Sequence, residues 1–174
     1  MNITGGKFNG RVIKAPDANL ARPTLSKIRM AVVNSLYSLL GDFEEKSFLD
    51  VYSGSGIMGL EALSRGFEKA VGIEKNRTVL DLVKSNYNAL NLTPNLIYGD
   101  SLKILKRFKD DYFDVIYIDP PYLSGIYEKT FELLPNFEIG VVEHSEDVDF
   151  SNFKIIQTKD YGGKKITYIK KADA

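Results

Sequence analysis

Residues 47–66, "SFLDVYSGSGIMGLEALSRG", decide the fold. The segment begins with a short apolar run, continues through a glycine loop and ends in a helix-type pattern. Gly54, Gly56 and Gly59 fit the spacing G-x-G-x-x-G, in which glycines let the backbone approach a bound molecule closely. The segment therefore predicts a strand, a tight loop and a helix, the repeating unit of an α/β sheet.

The same alternation of strands and helices continues along the chain. Helical segments separate five predicted strands, at 47–52, 69–74, 95–100, 112–119 and 137–144. Residues 153–171 indicate two further strands around Gly162 and Gly163, hence an antiparallel hairpin. We expect an α/β fold with a mostly parallel seven-stranded sheet, covered by helices on both faces and closed by that hairpin.

The N-terminal part of the chain has a different character. Residues 1–23 are basic and interrupted by glycine and proline, so we expect an arm or small hairpin outside the core. Apolar residues then recur with helical spacing from Thr24, an expected N-cap, to Gly41, an expected C-terminal stop. The chain is thus expected to comprise this arm and one domain, residues 24–174.

Composition excludes several kinds of chemistry. The sequence has no cysteine and a single histidine, His144, which excludes disulfides, a catalytic thiol and a multi-histidine metal site. We therefore predict no metal. No apolar run is long enough to span a membrane and no signal-type segment opens the chain, so a cytoplasmic location is expected. The formal charge is +5 over 1–41, −9 over 42–150 and +4 over 151–174, a pattern that favours a polyanionic partner.

Four acids stand at or just after the ends of consecutive predicted strands: Asp50, Glu74, Asp100 and Asp119. Because the carboxyl ends of parallel strands meet at one edge, we expect these acids to surround one ligand site. The spacing from Gly54 to Glu74 also fits a dinucleotide, but a pyrophosphate is disfavoured beside Asp50 and Asp119. S-adenosylmethionine has ribose hydroxyls, an adenine and two cationic groups but no phosphate, and it is the predicted cofactor.

The fourth predicted strand ends in "DPPY", residues 119–122. Two prolines stop the strand and stiffen the turn, because proline lacks an N–H and fixes φ. The turn carbonyls and the Asp119 carboxylate can accept the hydrogens of an exocyclic amine, while Tyr122 offers a ring for stacking. Direct methyl transfer to such a nitrogen needs no covalent intermediate, which suits a chain without cysteine. The segment thus predicts an amino-methyltransferase site for a planar base.

Several segments, taken in order, resemble a known family, the bacterial 16S ribosomal RNA guanine-N2 methyltransferases of the RsmD type. The segments are "GGKFNGR" (5–11), "RPTLSKIRMAVVNSL" (22–36), "DVYSGSGIMGLEALSRG" (50–66), "GIEKN" (72–76), "DPPY" (119–122) and "YGGKKITYIKK" (161–171). "DPPY" alone is shared with other amino methyltransferases, but its combination with "GG-x-x-x-GR" and "RPT" is more specific. The resemblance covers nearly the whole chain and implies a Rossmann-like class I methyltransferase fold.

The resemblance also implies residue roles. It assigns cofactor binding to Asp50, Ser53, Gly54, Gly56, Glu74 and Asp100, with Glu74 on the ribose hydroxyls and Asp100 on the adenine amine. It assigns the flipped guanine to Asp119, Pro120, Pro121 and Tyr122. It assigns contacts with RNA phosphates, near the entrance of the site, to Lys7, Arg11, Arg22 and Arg29. The implied partner is 16S rRNA within the small ribosomal subunit or an assembly intermediate, and we expect a monomer.

The chain departs from the family pattern at two places. Met30 stands where the family usually has an acid, and residues 145–152, "SEDVDFSN", are too short for the full helix that is common in this fold. Near that segment, Glu143 ends the fifth predicted strand and is expected to be a solvated carboxylate rather than a pocket residue. His144 is expected to be structural or exposed.

Three other functions stay open. One is an adenine-N6 amino methyltransferase acting on DNA or RNA, although no segment resembles a domain that reads a DNA sequence. Another is a methyltransferase that acts on a protein or a small molecule, although the basic arms would then have no purpose. The third is a non-catalytic RNA-binding assembly factor that keeps the pocket, although the intact "DPPY" argues against it. The substitution Asp119→Ala separates an enzyme from a binding protein, since only an enzyme loses methyl transfer while RNA binding survives.

Overall fold

The computed structural model describes residues 1–173. Its strands are β1 (Ser47–Asp50), β2 (Lys69–Glu74), β3 (Leu96–Tyr98), β4 (Tyr112–Ile118), β5 (Asn136–His144), β6 (Phe153–Tyr161) and β7 (Lys164–Lys171). Its helices are α1 (Ser26–Leu40), α2 (Ile57–Ser64), α3 (Arg77–Ala89), α4 (Ser101–Ile104) and α5 (Ile126–Glu132). Short 3₁₀ segments lie at Gly6–Phe8 and Leu105–Phe108.

The strands form one sheet in the order β3-β2-β1-β4-β5-β7-β6. Strands β1 to β5 run parallel, whereas β7 pairs antiparallel with both β5 and β6. The predicted mostly parallel sheet with a closing hairpin is therefore confirmed. The strand order reverses between β1 and β4, so the carboxyl ends of these two strands flank the crevice where such sheets bind ligands.

The core consists of apolar layers on both faces of the sheet. Alternate strand residues point to opposite faces: Phe48 and Val115 pack with helices α1 and α2, whereas Leu49 and Ile116 pack with α4 and α5. Burial on both faces explains why β4 is almost continuously apolar rather than alternating with polar residues.

The N-terminal segment contributes to the core, and the prediction that residues 1–23 lie outside it is wrong. Ile3, Phe8 and Ile13 are buried in a third apolar cluster, against residues of α2 and α3 that include Leu60 and Val83. A single antiparallel bridge between residues 2 and 12 gives the segment a hairpin-like start. Its apolar residues are spaced with neither the period of a strand nor that of a helix. The sequence pattern therefore does not predict that they are buried.

Helix α1 begins one residue later than expected, at Ser26. Leu25 precedes the first turn with φ −58° and ψ 143° and no side-chain cap, while Thr24, the expected N-cap, lines a cavity instead. The predicted stop is confirmed at Gly41, whose φ of 86° favours glycine. No helix lies between β5 and β6 in the described chain, as the short segment 145–152 predicted. None of the helices in residues 1–173 is long and apolar enough to cross a membrane.

Candidate active site

A cavity of about 560 Å³ opens at the carboxyl edge of the parallel strands. All four acids expected there line it: Asp50, Glu74, Asp100 and Asp119. The glycine loop forms one wall and the "DPPY" turn another, on the two sides of the point where the strand order reverses. The fold thus brings together segments that lie about seventy residues apart in the chain.

Glu74 fastens the glycine loop to the end of β2. One carboxylate oxygen accepts a hydrogen bond from the Gly54 N–H (2.9 Å), and the other accepts one from the Asn76 N–H (2.9 Å). The Ser53 N–H and hydroxyl both donate to the Ile73 carbonyl, at 2.9 and 3.0 Å. A carboxylate offers about four lone pairs, so Glu74 keeps acceptor capacity for a ligand.

Position 56 requires glycine for two reasons, its backbone conformation and the lack of space for a side chain. Its φ is 75°, and a Cβ at this position would lie 2.4 Å from Cγ1 of Val83. The loop can therefore turn into α2 and pack against α3 only with glycine here. Asp100 follows β3, next to β2, and caps α4 by accepting a hydrogen bond from the Leu102 N–H (2.9 Å).

Asp50 is the most buried of the four acids that line the cavity. The residue is only 3% exposed, and its Oδ1 atom has no hydrogen-bond partner within residues 1–173. Burial raises the pKa of Asp50 well above its ordinary value, and the nearby carboxylates of Asp119, Glu143 and Glu74 raise it further. A buried carboxylate oxygen without a partner attracts a cation or an N–H donor, because leaving it unpaired is costly.

The "DPPY" turn presents acceptors and an aromatic face. Asp119 follows β4 directly, and Tyr122 is 86% exposed at the rim of the cavity, where its ring is available for stacking. The Pro121 carbonyl accepts a hydrogen bond from the Leu123 N–H (2.9 Å), so the expectation of wholly free turn carbonyls needs correction. The Asp119 carboxylate and the Pro120 carbonyl remain as acceptors for a ligand.

Lys164 is a site residue that the sequence reasoning missed. Its Nζ atom lies 3.4 Å from Oδ1 of Asp119 and 3.6 Å from Oε1 of Glu143, and its side chain lines the cavity. The predicted hairpin could have indicated this residue. Because β7 runs antiparallel to the other strands, it begins, just after Gly162 and Gly163, at the edge where the parallel strands end.

Glu143 is buried, at 1% exposure, so the expectation of a solvated carboxylate is wrong. Burial raises the pKa of both Asp119 and Glu143, and the ammonium of Lys164 offsets part of each rise. Burial lowers the pKa of Lys164, but the two carboxylates outweigh it, and the net shift is upward. The ammonium of Lys164 thus favours the ionised forms of Asp119 and Glu143, and the two carboxylates favour the protonated form of Lys164.

Arg29 does not have the position predicted for it. The side chain is buried at 4% exposure, its Nη1 atom donates to the Asn2 carbonyl (2.8 Å) and lies 3.6 Å from Oε1 of Glu61. The expectation that it contacts RNA phosphates near the entrance is wrong, since position 29 is on the face of α1 that packs on α2. Lys7, Arg11 and Arg22 are exposed, and Arg22 also lines the cavity.

His144 has a structural role, one of the two outcomes expected for it. Nε2 lies 2.7 Å from the Thr167 hydroxyl and Nδ1 lies 2.8 Å from the Glu146 carbonyl, in a buried position. Within residues 1–173 no cluster of three or more potential metal ligands is present.

The strand order, the antiparallel closing hairpin and the crevice at the carboxyl edge define a class I methyltransferase fold. The structure superposes on that of yhhF from Escherichia coli with a TM-score of 0.85 and 24% identity over 99% of both chains. Superposition on HI0767 from Haemophilus influenzae gives a TM-score of 0.77 and 25% identity, over 99% of this chain and 98% of that one.

Sequence comparison places the chain within that class. The family described as Conserved hypothetical protein 95 matches residues 1–170, and the chain belongs to this family, that of the RsmD-type rRNA methyltransferases. It is 37% identical over 138 residues to ribosomal RNA small subunit methyltransferase D of Buchnera aphidicola, covering 77% of this chain and 69% of that protein. It is 30% identical over 160 residues to YlbH of Bacillus subtilis, covering 86% of this chain and 85% of that protein.

Proposed function

We propose that the protein transfers a methyl group from S-adenosylmethionine to the exocyclic N2 amine of a guanine in 16S ribosomal RNA. The observation that carries this proposal is the juxtaposition, in one cavity, of the Asp50 and glycine-loop wall with the Asp119–Tyr122 turn. Relatives named ribosomal RNA small subunit methyltransferase D support the class of substrate.

The chemistry of the cavity fits S-adenosylmethionine. The Oδ1 atom of Asp50, which has no partner among the described residues, would bind the cationic amino group of the cofactor. Glu74, beside the glycine loop, would accept hydrogen bonds from the ribose hydroxyls. Asp100, which follows the neighbouring strand β3 and also lines the cavity, is matched to the adenine amine. Several carboxylates in one cavity repel a pyrophosphate but favour a ligand with cationic groups. When bound, this cofactor supplies an electrophilic methyl group on a sulfonium.

The acceptor side of the cavity fits an exocyclic amine on a base. The Asp119 carboxylate and the Pro120 carbonyl each accept one hydrogen of the amine, which orients its nitrogen towards the cofactor side of the cavity. The exposed ring of Tyr122 stacks on the base once the base has left its helix. Because the nitrogen is a weak nucleophile, holding it in line supplies much of the rate.

Contacts with the rest of the RNA are assigned to the basic residues Lys7, Arg11 and Arg22, which contact phosphates rather than bases. The 16S rRNA is presented within the small subunit or an assembly intermediate, in the cytoplasm, and the protein acts as a monomer. Selection by shape and by ribosomal proteins makes naked rRNA a poor substrate.

The test uses small ribosomal subunits that lack their native modifications and S-adenosylmethionine with a labelled methyl group. The RNA is digested and the labelled nucleoside is identified. Label in N2-methylguanosine is the expected result. Label in N6-methyladenosine would show that the target base is adenine rather than guanine. Cofactor binding without any label in the RNA would favour an assembly factor. Comparing subunits with protein-free rRNA tests the proposed form of the substrate, and equal rates on both would contradict it.

A variant separates chemistry from binding. We expect Asp119→Asn, which keeps the shape but removes the acceptor charge, to slow transfer by about 10²–10³-fold with little effect on RNA binding. Asp110→Asn, an exposed acid just before β4, is the matched control and should leave the rate unchanged. An unchanged rate in Asp119→Asn would contradict the assigned role.

A further inference from the structure

Lys164 occupies a position between two carboxylates that belong to different strands. Its ammonium lies 3.4 Å from the acid after β4 and 3.6 Å from the acid in β5, although Lys164 itself opens β7. Its side chain is 30% exposed and that of Asp119 32%, whereas that of Glu143 is only 2% exposed. Asp119 and Lys164 line the cavity, whereas Glu143 does not.

This arrangement gives the two acids different roles. Glu143 is closed off from ligand, and its second oxygen, Oε2, has no hydrogen-bond partner within residues 1–173. Such a buried charge is costly unless a cation compensates it, so Glu143 holds the ammonium of Lys164 in place. The same ammonium then faces the carboxylate of Asp119 at the cavity wall.

Asp119 needs that cation because of its surroundings. Asp50 from β1 and Tyr127 from α5 interact with it, and it shares Lys164 of β7 with Glu143 of β5. Burial favours the protonated form of Asp119, and a protonated carboxyl presents a donor where an amine requires an acceptor. Lys164 is the group in this set that favours the ionised form.

We propose that Lys164 is a positioning residue for the target base: held by Glu143, it keeps Asp119 as an oriented, charged acceptor for the amine. This role rests on the function proposed above and adds a residue and its partner to that site. Lys164 acts through Asp119, so its removal affects catalysis more than cofactor binding.

The test compares Lys164→Met, Lys164→Arg and Glu143→Gln with the wild-type protein. Single-turnover methyl transfer to small subunits is followed from about pH 5.5 to about pH 9 at saturating cofactor. The acidic limb of the profile should move upward in Lys164→Met, with a rate loss about tenfold greater at the acid end than at the basic end. Lys164→Arg should restore most of the profile. Lys165→Met, the adjacent lysine on the opposite side of β7, is the control and should leave the profile unchanged.

Glu143→Gln should shift the profile in the same direction as Lys164→Met, but by less. Without the carboxylate that holds it, the ammonium of Lys164 is less well fixed beside Asp119, so the acidic limb should move upward by a smaller amount than in Lys164→Met. An equal loss of rate at every pH in Lys164→Met would show a structural role only and overturn the proposal. An acidic limb that stays in place or moves downward in Glu143→Gln would overturn the part assigned to Glu143.

A second measurement keeps this inference separate from the proposed function. The side-chain carboxyl carbon of Asp119, assigned by its loss in Asp119→Asn, is titrated by NMR in the folded protein without substrate. Its midpoint should rise in Lys164→Met, and an unchanged midpoint would overturn the inference even in an active enzyme. If wild-type protein methylates no guanine, the proposed function fails, while this titration still decides the relation between Lys164 and Asp119.

Discussion

At the scale of single residues, the site contains groups that disfavour the folded state. Asp50 is buried with an unpartnered oxygen, and its pKa is raised by burial and by three nearby carboxylates. A raised pKa in a folded acid means that the folded state binds more protons than the unfolded state. Stability is then fully present below the ordinary pKa of the acid and is lost as the pH rises through the folded value. Above the ordinary pKa of a carboxyl, Asp50 therefore lowers the stability of the folded state.

Replacing this acid should separate the two effects. We expect Asp50→Asn to raise the Tm of the ligand-free protein at about pH 8, at roughly 2–4 °C per kcal/mol for a chain of this size. The gain should shrink as the pH is lowered towards the ordinary pKa of a carboxyl. Thermal scans across pH measure the stability, and equilibrium binding of S-adenosylmethionine should weaken in the same variant. A Tm that falls at every pH would show that Asp50 is held by contacts that require its charge.

At the scale of elements, one buried ion pair connects three parts of the chain. Glu61 in α2 is fully buried and lies 3.6 Å from Arg29 of α1 and 3.9 Å from Arg65. It also accepts a hydrogen bond from the Thr4 N–H (2.6 Å) and another from the Thr4 hydroxyl. The basic residue expected on the RNA surface therefore fixes the N-terminal segment and two helices against one another.

The structure predicts a stability effect for Arg29, in place of an effect on RNA binding. Arg29→Met should cost about 3 kcal/mol, at the low end for a broken buried pair because Arg65 and Thr4 still contact Glu61. Arg77→Met removes an exposed i,i+4 pair with Asp81 and should cost less than about 1 kcal/mol. Urea unfolding measures both. A similar small loss in the two variants would contradict the structural role of Arg29.

At the scale of the whole molecule, the N-terminal segment has two separable tasks. Its apolar residues Ile3, Phe8 and Ile13 complete a core cluster, while most of its basic residues stay exposed. Residues Leu20 to Arg22 also line the cavity, with Ala21 beside the glycine loop. The segment thus connects the packing of α2 and α3 to the entrance of the site.

Two kinds of change should distinguish these tasks. Deleting residues 1–13 should lower the Tm strongly, because it exposes the apolar surfaces of α2 and α3. Replacing Lys7, Arg11 and Arg22 together by glutamine should keep the Tm but weaken binding of small-subunit RNA. In a plot of the logarithm of the binding constant against the logarithm of the salt concentration, the slope should become shallower by about one unit for each phosphate that is no longer neutralised. Binding titrations over a range of salt test this, and an unchanged slope would remove these residues from the RNA interface.

The sequence alone determined the sheet, the helices between its strands and the four acids at its carboxyl edge. These features depend on local patterns: apolar runs, glycine spacing and the position of an acid after a strand. Because parallel strands align their carboxyl ends, Asp50 and Asp119 could be assigned to one site from their positions in the chain. The sequence predicts the ends of the helices and strands less accurately, and α1, for example, begins at Ser26 rather than directly after the expected N-cap Thr24.

Only the tertiary structure decided which charged side chains are buried and what they face. The sequence shows that Arg29 and Lys164 are basic, but burial and partners depend on which helix face or strand end packs against which neighbour. Arg29 lies on the buried face of α1 beside Glu61, and Lys164 enters the site because β7 begins at the carboxyl edge. The physical reason is that the charge of a residue is local, whereas its desolvation and its counter-ions come from segments distant in the chain.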